Sequence, residues 1–281
     1  MRAMISRGCA RRGWRSWRGP DPQVTRRAAR AEASGGSIWG KMKAGPEELS
    51  EAGRAGSGGT ELRAIVFDLD GTLIDSAPDI WHAANAVLRE AGLPEVSFEQ
   101  SRGFIGRGAR IFVERMERAV AGANAAVRTD HLHARFLHFY ERAHDGTRVY
   151  PHVPEMLAEL QGRGLALGLC TNKPMGPARA VLAHLGWEGL FASVIGGDSL
   201  PVAKPDPAPL LAVLAAMCCA PAEAIYIGDS ETDAETAARA GLRFGLFTEG
   251  YRKGSVAALA PDFHFSDYRD LPHAMTRMRA A

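Results

Sequence analysis

Residues 64–71 read Ala64-Ile65-Val66-Phe67-Asp68-Leu69-Asp70-Gly71. The first four are apolar without interruption and the next four are turn formers around one leucine, which predicts a buried strand ending in a tight turn. Similar apolar runs recur at 165–170, 193–195, 224–227 and 244–247, and helical spacing fills 154–163, 177–185, 207–217 and 232–240. Strands that alternate with helices predict an α/β fold, a mostly parallel sheet covered on both faces. One interval breaks the alternation. From Pro78 to about Thr147 only helical spacing is found: Ile80, Ala84, Val87, Leu88 and Ala91 share a face, as do Phe112, Met116, Ala119 and Val120, then Leu132, Phe136 and Tyr140. This predicts a helical cap over 78–147, inserted after the first strand of a core made of 61–77 and 148–281.

With 281 residues, 46% of them hydrophobic, the chain can bury a substantial core. It has no apolar run long enough to span a membrane. Its charge is uneven. Residues 1–43 carry eleven Arg/Lys against Asp21 and Glu32, whereas 61–281 carry 22 basic and 27 acidic side chains. The body is therefore net acidic and offers no general nucleic-acid footprint. Residues 1–60 are rich in Arg, Gly, Ser and Ala, with a linker-like stretch at 53–60. Three readings are open for them: a targeting peptide, a nucleic-acid-binding arm, or a disordered tail with Met42 as a later start. The lack of an amphipathic helix or apolar signal stretch favours the tail. Cys9, Cys170, Cys218 and Cys219 resemble neither a disulfide framework nor paired metal ligands, which fits a cytoplasmic protein. His131, His133 and His138 fit an exposed helix better than a metal site.

Four short elements end or follow predicted strands: Asp68-Leu69-Asp70-Gly71-Thr72, Thr171-Asn172-Lys173, Lys204-Pro205 and Gly228-Asp229-Ser230-Glu231-Thr232-Asp233. In a parallel sheet the carboxyl ends of the strands share one rim, so these residues can converge. Taken singly, each motif is also compatible with a turn or a helix cap. Together they make a costly cluster, since two like charges 4 Å apart repel by about 4 kcal/mol at an effective dielectric near 20. Such a cluster needs cations. Mg²⁺ suits oxygen ligands and phosphate, and Lys204 supplies a further charge. Asp68 is placed to attack phosphorus, and Asp70 to protonate the leaving oxygen and then deprotonate water. Thr171 offers a hydroxyl and Asn172 a backbone N–H to phosphoryl oxygens.

The segments FDLDGTLIDS (67–76), LCTNKP (169–174), KPDPAPL (204–210) and YIGDSETDAETAARAG (226–241) resemble the four motifs of the haloacid dehalogenase-like superfamily. The resemblance covers nearly all of 61–281 and implies a Rossmann-like core. It implies that Asp68 is the nucleophile and Asp70 the general acid/base. It further implies Mg²⁺ held by Asp68, the backbone carbonyl of Asp70, and Asp229, with Asp233 in support, and phosphate bound by Thr171, Asn172 and Lys204. Asp at position 70 points to phosphatases and phosphomutases of that superfamily rather than dehalogenases.

TNKP, the Gly196-Gly197-Asp198 triplet, Gly250-Tyr251 and the cap string GFIGRGAR (103–110) are similar to phosphoglycolate phosphatases. Hydrolysis of 2-phosphoglycolate to glycolate and phosphate is the expected reaction. A sugar phosphate or pyrophosphate is the alternative substrate, and a phosphomutase, an inactive scaffold or a DNA-end-trimming enzyme are weaker readings. The substrate carboxylate needs donors, and Gly106, Arg107, Gly108 and Arg110 are the candidates, although each Arg also suits a solvated helix face. His152 stands where relatives of this kind usually have Gly. The expected partner is a small phosphorylated metabolite, with no nucleic acid and no membrane, for a monomer or homodimer.

Overall fold

The computed structural model describes residues 61–121 and 128–277, so the expectations for 1–60 fall outside the described residues. Strand β1 (Ala64–Phe67) is buried along its whole length. It pairs in parallel with β4 (Ala166–Cys170) on one side and β6 (Ala224–Gly228) on the other. β5 (Ser193–Ile195), β7 (Arg243–Phe247) and β8 (Phe263–Phe265) extend the sheet to the order β5-β4-β1-β6-β7-β8, every pair parallel.

The unbroken apolar run of β1 has a direct cause, because its alternate side chains enter different cores. Ile65 and Phe67 pack with Leu157, Leu167 and Val181 on one face of the sheet. Ala64 and Val66 pack with Leu210, Val213 and Tyr226 on the other. The covering helices are α5 (Val153–Gly162), α6 (Met175–His184), α7 (Ala208–Ala216), α8 (Glu231–Ala240), and the shorter α9 (Val256–Leu259) and α10 (Leu271–Arg277).

Between β1 and β4 the chain leaves the sheet through β2 (Ile74–Asp75) and returns through β3 (Arg148–Val149), which pair antiparallel as a two-stranded ribbon. Four helices lie between them: α1 (Ala77–Glu90), α2 (Phe98–Phe104), α3 (Ala109–Val120) and α4 (Thr129–Tyr140). They enclose a core of their own around Val87, Leu88, Phe112, Met116, Leu132 and Phe136, and so form an inserted helical cap. Helical spacing places Ala119 on the inner face, but it is exposed; Val113 is buried instead. Asp79 at the start of α1 ties the two ends of the insertion together: its carboxylate accepts from the Gly146 N–H at 2.9 Å and the Thr147 hydroxyl at 2.6 Å.

Just after β3 the chain turns into α5 through His152, whose φ of 65° is left-handed. A Cβ in that region costs about 1–2 kcal/mol, which explains why glycine suits this turn.

Candidate active site

Asp68 follows β1, Thr171 follows β4 and Asp229 follows β6, so three neighbouring strands deliver them to one rim. β1 lies at the point where the connections diverge, with β4 and β5 on one side and β6 to β8 on the other, the usual ligand position in such sheets. Lys204 comes from the loop between β5 and α7, and Asp233 from the first turn of α8. All five residues are buried.

Lys204 Nζ lies 2.9 Å from Asp68 Oδ1 and 2.7 Å from Asp233 Oδ1. The loop that carries it is held by Asn172, whose side chain accepts from the Lys204 N–H at 3.0 Å and donates to the Lys204 carbonyl at 2.9 Å. Asn172 therefore works as a strut, and only its backbone N–H serves the sequence expectation of a phosphate donor. Asp233 is saturated: Oδ1 also takes the Tyr226 hydroxyl at 2.8 Å, and Oδ2 takes Ser230 Oγ at 2.6 Å. Asp229 accepts from Thr72 Oγ1 at 3.0 Å and from the Tyr251 N–H at 2.6 Å. Gly71 and Gly250 allow this close loop packing. Gly71 has φ +88°, and a Cβ there would sit 2.5 Å from Asp229 Oδ2. A Cβ at Gly250 would meet the Gly71 carbonyl oxygen at 2.3 Å.

These distances decide the electrostatics. Burial, opposed by Lys204, pushes the Asp68 carboxyl up to about 7. Burial together with Asp233 and Asp68 raises Asp229 well above the usual carboxylate range. Asp233 is also pushed up by burial, but its ion pair and hydrogen bonds to Lys204, with those from Ser230 and Tyr226, outweigh this and hold it low. Counted as ionised, Asp68, Asp229 and Asp233 against Lys204 leave a net charge of −2 in a buried cluster.

A hard divalent cation fits that cluster. The donors are all oxygen, one atom from each of Asp68, Asp229 and Asp233 falls within 4.8 Å of the others, and buried Asp68 Oδ1 has no aligned hydrogen bond among the described residues. Its 2.9 Å contact with Lys204 is an ion pair by distance only. Since both Asp233 oxygens already have partners, that residue anchors the Asp229–Ser230 turn rather than reaching for an ion.

Asp70, the fourth carboxylate, has its own cation, one the sequence reading passed over. Lys173 Nζ lies 3.0 Å from Asp70 Oδ1, which also accepts from Ser76 Oγ at 2.6 Å. Lys173 in turn donates to the Tyr140 hydroxyl, which lies 3.5 Å from Asp70 Oδ2. Burial, with Asp70 beside it, holds the Tyr140 phenol protonated well above its ordinary range. Tyr140 belongs to cap helix α4, so a core lysine, a core aspartate and a cap phenol meet over the site. Tyr251 makes a second junction: its hydroxyl donates to Asp75 Oδ1 at 2.7 Å and accepts from the N–H groups of Ser76 and Ala77 where α1 begins.

Above Asp68 and Asp70 lies a cavity of about 50 Å³ whose cap side is mostly apolar, with Ile80, Ile105, Phe112 and Phe136, and whose floor includes Thr171 and Lys173. Gly106 and Gly108 line it too, with φ of 118° and 85°, and the Gly106 carbonyl accepts from Asn172 Nδ2 at 3.3 Å. Arg107 and Arg115 line an adjoining lobe that reaches Asp229. Arg110 lines neither lobe. It is exposed and pairs with Asp130 at 2.9 Å and Glu114 at 3.4 Å.

The fold, a parallel core with an inserted cap, and the acidic rim beneath it define a class of hydrolase. Residues 65–247 match the family model described as haloacid dehalogenase-like hydrolase, and the chain belongs to that family. Among curated relatives, the phosphoglycolate phosphatase of Cereibacter sphaeroides is 45% identical over 220 residues, 78% of this chain and 100% of that protein. Phosphoglycolate phosphatase 1 of Pseudomonas aeruginosa is 38% identical, covering 74% of this chain and 78% of its own. A crystal structure of a predicted phosphoglycolate phosphatase from Haemophilus somnus superposes with TM-score 0.72 at 31% identity, covering 78% of this chain and all of that one.

Proposed function

We propose that this chain is a Mg²⁺-dependent phosphatase that hydrolyses 2-phosphoglycolate to glycolate and phosphate through an aspartyl-phosphate on Asp68. The observation that carries this reading is Asp68 itself: a buried carboxylate below a capped cavity, with Lys204 at 2.9 Å and one oxygen free of aligned hydrogen bonds.

In the first step an Asp68 oxygen attacks phosphorus, the bond from phosphorus to the glycolate oxygen breaks, and Asp70 gives that oxygen its proton. In the second, Asp70 takes a proton from water as the water oxygen attacks phosphorus, and the Asp68–phosphorus bond breaks to release inorganic phosphate. Lys173 and Ser76 both donate to Asp70 Oδ1 and so fix the direction of its carboxyl. Lys204, the Thr171 hydroxyl and the Asn172 N–H receive the charge on the phosphoryl oxygens. Mg²⁺, held by Asp68, the Asp70 carbonyl and Asp229, would offset the charge of the carboxylates and the phosphate dianion.

The substrate assignment rests on the curated relatives, which are named phosphoglycolate phosphatases. Arg107, with Gly106 and Gly108, is the cap's candidate for the glycolate carboxylate, and residues 78–147 are the proposed cap domain. A net-acidic body and a capped cavity favour a small cytoplasmic metabolite over nucleic acid. A steady-state screen of the full chain against phosphate esters, with Mg²⁺, tests the reading. It predicts kcat/KM highest for 2-phosphoglycolate; equal rates across sugar phosphates and pyrophosphate would overturn the assignment.

A further inference from the structure

Away from the catalytic rim, His144, Asp145 and His184 come together at the seam between cap and core. His184 is the last residue of core helix α6, and His144 and Asp145 lie in the turn that leads from cap helix α4 back to β3. One ligand atom from each lies within 4.8 Å of the other two. The two imidazole rings are 4.6 Å apart between centroids, with planes inclined at 54°. His144 Nδ1 is buried and has no hydrogen-bond partner among the described residues. The Asp145 carboxylate joins no ion pair among them, whereas its backbone carbonyl is fixed by Arg148 Nη1 at 2.7 Å.

An orphaned ring nitrogen beside a second imidazole and an unpaired carboxylate is a ligand set. We propose that these three residues form a second metal site, selective for a borderline transition ion such as Zn²⁺ or Co²⁺, that clips the cap's return segment to core helix α6. The chemistry separates it from the catalytic rim, because two nitrogen donors disfavour Mg²⁺, which prefers oxygen throughout. Bonds of about 2.0–2.1 Å in a tetrahedral site place ligand atoms about 3.3 Å apart, so the present set, within 4.8 Å, closes by at most about 1.5 Å. Asp145 and His184 are exposed and free to make that adjustment. Three protein ligands leave a fourth position for water.

The position gives the ion a consequence. The clipped turn carries Gly146 and Thr147, which hold Asp79 at the entrance to the cap. Helix α6 begins at Met175, two residues after Lys173. An ion here links the cap's base to the element that supports Lys173, and so restrains cap opening. The inference does not depend on the substrate assignment, and its test reads metal binding directly.

Untagged full-length protein, saturated with Mg²⁺, is titrated with Co²⁺ and followed by visible d–d absorption; Zn²⁺ displacement then gives affinity. Wild type and Asp68→Asn are expected to bind one Co²⁺ with a tetrahedral spectrum. His184→Gln is expected to lose the band and weaken binding at least tenfold, with its metal-free melting temperature unchanged. In wild type alone, micromolar Zn²⁺ is expected to slow turnover. A band that survives in His184→Gln, or one that disappears in Asp68→Asn, overturns the proposal. So does the absence of any Co²⁺ binding by wild type, which would leave the paired histidines as packing only.

Discussion

Stability should respond to pH in a way set by Asp68. Its carboxyl is raised from an ordinary 3.8 to about 7, chiefly by burial. The folded protein thus holds a proton that the unfolded chain releases, and stability must fall as pH rises between those two values. The separation of about three pH units corresponds to about 4 kcal/mol at pH 8, an upper limit because neighbouring carboxylates share the proton. For a body of about 200 residues that is roughly 8–16 °C in melting temperature. The perturbation is Asp68→Asn, which keeps shape and removes the charge. In EDTA the variant and wild type should melt together at pH 4, and the variant should melt higher by pH 8. Adding Mg²⁺ at pH 8 should raise wild type more than the variant, because the amide oxygen that replaces the carboxylate is a neutral and weaker ligand. Differential scanning fluorimetry across that pH range is sufficient. A variant less stable than wild type at pH 8 in EDTA would refute the claim that burial of charge, rather than the Lys204 ion pair, dominates at this carboxylate.

Three substitutions probe other parts of the account. Gly71→Ala forces a Cβ onto Asp229 Oδ2 at a positive φ, so a loss of about 1–3 kcal/mol is expected, with weaker Mg²⁺ binding; an unchanged melt and metal titration would contradict the packing argument. Lys173→Met strips Asp70 of its cation and should lower kcat by about 100-fold while distorting the pH–rate profile; a wild-type profile would remove Lys173 from the acid–base machinery. His152→Gly relieves a left-handed side chain worth about 1–2 kcal/mol but frees the unfolded backbone by about 0.5–1, so the urea midpoint should hold or rise slightly. A clear fall would mean that the imidazole makes a contact worth more than the strain.

The core was legible because its signals are local. Each strand that delivers a rim carboxylate or hydroxyl is an apolar run ended by polar residues, and the alternation with helices orders them. β8 was not read because Phe263-His264-Phe265 is too short to show a period, and β2 and β3 have only two residues each. The cap helices followed from apolar spacing, but the direction of a long exposed side chain did not, so Arg110 looked as eligible as Arg107. Lys173 stands in TNKP, but nothing local to that motif separates its ammonium from that of a solvated lysine. Two tyrosine contacts near the site were beyond reach for another reason. Tyr140 meets Asp70 across 70 positions, and Tyr251 meets Asp75 across 176, contacts that no periodicity encodes. Asp233 shows the opposite case: its role as an anchor follows from a capping box with Ser230 that the sequence displays.

Asp68 as the attacking group is the claim on which the rest depends. The most direct measurement is the kcat of Asp68→Asn on 2-phosphoglycolate with saturating Mg²⁺, in protein whose circular dichroism matches wild type. The account predicts turnover at or near background. Turnover within tenfold of wild type would contradict it.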